Sequence, residues 1–223
     1  MSIARILLIG AYVCAPTLLL RLHRFWGVPA AVLALWVPVE FGLLARLGLS
    51  SIVVVALAVA AGLLAFRSRP DVLDVRKAFS LSSIDVKTGV VNFLIFAAIA
   101  VPLGLLLGFI HPNFDAAELS RVPATLGVIF LFNALPEEIL FRGLIQNWIE
   151  NVTATRTGSL LISSVIFGAS HLNNGVRQPN YTYVLMASIA GVFYGLAWRS
   201  RKNVLTSSIT HTLVNTSWNL FFR

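Results

Sequence analysis

Two adjacent carboxylates, Glu137 and Glu138, stand inside an apolar stretch long enough to cross a bilayer, and Arg142 follows on the same stretch. Two further apolar stretches carry His171 and His211, with Asn215 one helical turn after the second histidine. Ionisable groups in hydrocarbon are costly unless they are paired or line a wet cavity. Such a set therefore suggests a site inside a membrane. Glu137 with His171 suits general-base activation of water for attack on an amide carbonyl. His211 and Asn215 would then donate hydrogen bonds to the developing oxyanion. The same side chains offer a second chemistry, in which Glu137, His171 and His211 hold a divalent metal such as zinc that activates the water. The His-Glu-x-x-His helix of many zinc proteases is absent. Both chemistries, with a metal or with no cofactor, stay open at the level of the residues.

Spacing assigns provisional roles. Adjacent helical residues point about 100° apart, so Glu137 and Glu138 cannot both face one point. Glu138 and Arg142 are spaced i, i+4 with the acid N-terminal, the better orientation for a helical ion pair. They are expected to support the site as a structural pair, which leaves Glu137 to face the cavity. Pro136 lacks a backbone N–H and is expected to kink the helix beside the acids. Phe167 and His171 share a face, as do His211 and Asn215. Gly168, Ala169 and Ser170 are small enough to let a neighbouring helix approach closely. Asn173, Asn174 and Gly175 mark a helix end.

The elements that must position these residues are apolar throughout. Of 223 residues, 57% are hydrophobic and 12% charged, about half the charge of a soluble domain. This composition predicts an integral membrane protein, an all-α polytopic bundle of about eight transmembrane helices. The apolar stretches fall near 4–22, 28–46, 50–66, 89–110, 123–148, 158–175, 181–198 and 203–222. One integral membrane domain over 1–223 is expected, with the first four helices in 1–110 and the site-bearing core in 123–222. The run after Arg5 resembles a signal peptide without a small-residue cleavage site and is read as a retained first helix. Cys14 is the single cysteine, so no disulfide forms within the chain. Stretches 28–46 and 50–66 are expected to form a tight hairpin around Leu47, Gly48 and Leu49. The polar stretch 67–88 suits either an interfacial helix, burying Val72, Leu73, Val75, Ala78 and Phe79, or a solvated loop.

The net charge of +8 fits basic loops against anionic lipid. No basic stripe or motif points to nucleic acid. Eleven Lys and Arg residues fall in the loops after the first, third, fifth and seventh stretches, against five in the other loops and the termini. This asymmetry places the odd loops in the cytoplasm. His171 falls late in its stretch whereas Glu137 lies near the middle of its own, so the His171 helix is expected to shift or tilt.

Taken in order, Glu137-Glu138-x-x-x-Arg142, Phe167-x-x-x-His171 and His211-x-x-x-Asn215 resemble the motifs of the CAAX-protease and bacteriocin-processing (CPBP) family, the type II CAAX prenyl endopeptidase-like intramembrane proteases. The resemblance covers roughly residues 123–220. It implies an intramembrane endopeptidase acting on a peptide or protein substrate in or at the bilayer. Glu137 and His171 would activate water, and His211 and Asn215 would bind the oxyanion. It leaves a metalloprotease or a metal-independent glutamate protease open. The compact chain suggests a bacterial inner membrane, where a prenylated substrate is not expected. Two other classes compete. A proton-coupled transporter would use Glu137 and the histidines as a relay, but its usual internal repeats are not visible. A non-catalytic membrane scaffold would keep the fold without the chemistry.

Overall fold

The computed structural model describes residues 2–23, 25–70, 72–175 and 178–222. Arg24, Asp71, Arg177 and Arg223, which entered the charge count and the polar stretch, lie outside the described residues. Eight apolar stretches become eight helical elements: α1 (Ile3–Leu22), α2 (Gly27–Glu40), α3 (Ser51–Ser68), α4 (Ser83–Leu106), α5 (Ala116–Thr153), α6 (Arg156–Ala169), α7 (Tyr181–Arg201) and α8 (Val204–Phe221). Among the described residues there is no strand beyond an isolated bridge between Pro112 and Phe222. Five elements, α1, α3, α4, α5 and α7, are long and apolar enough to cross a membrane. Large apolar side chains such as Leu7, Leu18, Ile52, Leu94, Leu106 and Val165 are exposed on the bundle surface, as helices facing lipid require. The chain is an integral membrane protein.

Several boundaries differ from expectation, each for a local reason. The stretch 28–46 is not one helix. α2 stops at Glu40, where Gly42 takes φ +62°. Leu43 donates to the Pro38 carbonyl and Gly42 to that of Val39, the paired bonds of a Schellman stop. The connection to α3 is therefore longer than the tight hairpin expected. α4 begins earlier than expected because Ser82 and Asp85 form a capping box. Between α3 and α4 only Val75–Ala78 is helical. Val72, Leu73 and Ala78 are buried in the protein core, with Val75 and Phe79 packed against it, so this part of the segment lies on the bundle.

The ends of α1, α3, α5 and α7 meet at one end of the bundle. Arg69 donates to the Leu20 carbonyl at 2.7 Å, and Asn147 reaches the carbonyl of Val72. Lys202 contacts Glu150 at 3.2 Å, and Arg201 contacts the fully buried Asp85 at 3.2 Å. At the other end Asn113 donates to the Phe221 carbonyl at 2.8 Å. The odd loops thus share one end.

α5 lies between two groups of helices. α1, α2 and α3 pack together on one side, and α4, α6, α7 and α8 form the other. α6 and α7 approach through small residues. A Cβ on Gly168 would lie 2.5 Å from the Val184 carbonyl oxygen and overlap Ser188. The backbone oxygen cannot swing aside, so Gly168→Ala is expected to lower stability by about 1–3 kcal/mol, read as a shifted unfolding midpoint in detergent.

Candidate active site

α5 is not a uniform α-helix. Two π-helical segments, Phe130–Ala134 and Ile139–Gln146, flank the α-turn Leu135–Glu138. π-type turns are rare, and many mark functional sites. Here they bracket the two acids. Pro136 follows the first widened turn, where its ring and missing N–H disturb the ladder less than inside a regular α-helix.

Glu138 and Arg142 are both fully buried, with Oε2 and Nε 3.2 Å apart. The expected pair is present, but Glu138 does more than hold Arg142. Its Oε1 lies 2.9 Å from Nδ1 of His211. A carboxylate only accepts, so Nδ1–H donates and Nε2 is turned the other way. Nε2 lies 3.9 Å from Oε2 of Glu137. The two acids point apart along the helix, yet both address one imidazole through its opposite nitrogens. Arg142 also donates to the Gly191 carbonyl at 3.1 Å and lies over the rings of Phe167 at 5.0 Å and Tyr194 at 5.6 Å.

Asn133, one turn before Glu137, donates to Glu137 Oε1 at 2.6 Å. Its own Oδ1 accepts from Asn215 at 2.6 Å. Asn215 is thereby linked to Glu137 through Asn133, with one of its two amide hydrogens used. Glu137 Oε2 is buried without a hydrogen-bond partner among the described residues.

α6 ends at Ala169, earlier than Asn173, and His171 lies in the turn that follows. A helix of 14 residues rises about 21 Å, against about 30 Å for the hydrocarbon core. His171 thus follows a helix shorter than the apolar stretch that predicted it. Its Nδ1 donates to the Phe167 carbonyl at 2.8 Å, which leaves Nε2 as the lone-pair nitrogen. Its ring stacks on Tyr183, 5.3 Å between centroids. Phe167 is 4.7 Å from the His171 ring and 5.8 Å from that of His211. It joins the two histidines as their common neighbour.

Glu137 and His171 line one cavity of about 250 Å³, with Asn133, Pro136, Ser170 and Asn174. Its opposite wall is α2 and α3, including Leu35, Trp36, Val39, Val55 and Val59. His211 and Asn215 are not among the lining residues. They stand behind Glu137 and Asn133. Tyr194, stacked on His211 at 4.3 Å and 14°, covers one face of that imidazole. Among the described residues no three His, Cys, Asp or Glu side chains are grouped to hold a metal ion. In this arrangement Glu137, His171 and His211 do not converge as a ligand set.

Four contributors escaped the motif reading: Asn133, Tyr183, Tyr194 and the α2–α3 wall. Asn133 carried a signal, because Asn at i and Glu at i+4 in an apolar run share a face. The tyrosines are scarce polar groups in a spanning helix, which marks them only weakly. The wall has no local signal at all.

Fold and site together define a polytopic helical membrane protein with a carboxylate–histidine centre at the junction of α5, α6 and α8. Residues 119–217 match the family of Rce1-like proteins, described as type II CAAX prenyl endopeptidase Rce1-like. The resemblance carried by the motifs is thus shown over this span, which runs from α5 into α8; α1–α4 lie outside it. No curated protein and no solved structure matches the chain.

Proposed function

We propose that the chain is an intramembrane endopeptidase of the CAAX-protease type. It hydrolyses a peptide bond of a membrane-associated or C-terminal peptide through water activated by Glu137 and His171. One observation carries this reading: Glu137 is held through Oε1 by Asn133, keeps Oε2 free of hydrogen bonds among the described residues, and shares a cavity with His171. Water between Oε2 and the His171 Nε2 lone pair gives a proton to Glu137 as its oxygen bonds the carbonyl carbon. The carbonyl electron pair moves to oxygen. For His211 and Asn215 to donate to the oxyanion they must reach past Glu137 and Asn133, because neither lines the cavity in this arrangement. Collapse breaks the C–N bond, and the proton on Glu137 passes to the leaving amine. Glu138 and Arg142 keep His211 oriented, and Phe167 braces both imidazoles.

The test is fragment release from prenylated and unprenylated peptide libraries by the full chain in detergent. Wild type should cut, and His171→Ala should be slower by about 10²–10⁴-fold. A chelator should leave the wild-type rate unchanged. A rate abolished by chelator and restored by zinc would instead support a metal on Glu137, His171 and His211. Uptake into vesicles without any fragment would favour the transporter. Inertness of a folded wild type toward both libraries would favour the scaffold.

A further inference from the structure

The cavity contains a second carboxylate that the proposed reaction does not use. Glu40, the last residue of α2, lines it together with Trp36. Its Oε2 accepts from the Trp36 indole N–H at 3.1 Å, a neutral donor that leaves the charge uncompensated. Glu40 is exposed. It ends α2, and His171 follows the end of α6. Both line one cavity, so the Glu40 carboxylate is open to a charged group that enters it.

The described lining residues include Glu40 and Glu137 and no Lys or Arg. A carboxylate with an aromatic ring close by is a fitting receptor for a cation. The Trp36 ring is fixed edge-on by Phe141, 6.2 Å between centroids. Around it the wall is apolar, from Leu35, Val39, Val55 and Val59. At about 250 Å³ the space suits a side chain or a short peptide segment, below the usual range for a drug-sized ligand.

We propose that Glu40 and Trp36 form a specificity site for a cationic substrate group, selecting peptides with a Lys or Arg next to an apolar residue near the cleaved bond. The inference rests on the proteolytic reading and names its substrate class. A free C-terminal carboxylate entering the same space would meet two carboxylates and, among the described lining residues, no lysine or arginine. α2 and α3 lie outside the matched span 119–217, so this selectivity belongs to the part of the chain that the family resemblance does not describe.

The test uses three otherwise identical apolar peptides carrying Lys, norleucine or Glu at each position flanking the cleaved bond. At one flanking position wild type should prefer Lys over norleucine by about tenfold, expressed mainly in KM. Glu40→Gln should make those two peptides equal, and Glu40→Lys should turn the preference toward Glu. A Lys preference that persists in Glu40→Gln, or is absent from wild type, overturns the proposal. The same peptides, fluorescently labelled, are also titrated against full-length Glu137→Gln protein with and without Glu40→Gln. If wild type cuts no peptide, proteolysis fails as a function. Tighter binding of the Lys peptide that is lost with Glu40→Gln would still uphold the receptor, and equal binding would sink it.

Discussion

Glu137→Gln is expected to lower kcat/KM by about 10²–10⁴-fold, with the loss in kcat, while stability changes by no more than about 1 kcal/mol. The replacement is nearly isosteric, and its amide oxygen still accepts from Asn133, which now holds Oε1 at 2.6 Å. What disappears is the acceptor at Oε2, the atom without a hydrogen-bond partner among the described residues. An amide nitrogen there cannot take a proton from water. Glu138→Gln is no substitute for this test, because Glu138 holds both Arg142 and His211 and its removal mixes structure with chemistry. Kinetics on any cleaved peptide, with the unfolding midpoint measured alongside, separate the two effects. A Glu137→Gln protein that cuts at the wild-type rate would remove Glu137 from the reaction.

The site was legible in the sequence to the extent that helical spacing governs it. Glu138 and Arg142 pair as an i, i+4 couple should, and Phe167 and His171 meet as expected. Apolar length located the long helices, because burial in lipid leaves little choice of residue, but not the short helix Val75–Ala78 in the polar stretch. What spacing missed depends on contacts between distant segments or on departures from 3.6 residues per turn. No residue pattern announces the π-segments on either side of Leu135–Glu138. The link from Asn215 through Asn133 to Glu137 joins α8 to α5, and only the packed bundle brings them together. The stop of α2 at Gly42 was visible as a glycine. Its consequence was not: Glu40 is left facing His171 across a cavity.

The second large effect concerns stability. Arg142→Met is expected to cost about 3–5 kcal/mol, the usual penalty for leaving one partner of a buried ion pair behind. Arg142 and Glu138 are fully buried, so water cannot reach the orphaned carboxylate. The Gly191 carbonyl would also lose its donor at 3.1 Å, and Phe167 and Tyr194 would lose the cation over their rings. The double variant Arg142→Met/Glu138→Gln removes the orphaned charge and should recover part of the loss, a coupling that a double-mutant cycle measures directly. A single variant costing under about 1 kcal/mol would mean that the pair is dispensable to the fold. The recovery should not extend to activity. Glu138 is the group that takes the His211 Nδ1–H and turns Nε2 toward Glu137, and an amide can receive that hydrogen bond but cannot balance a charged imidazole. A double variant that regains stability and stays slow would show that one buried pair serves the fold through Arg142 and the reaction through His211.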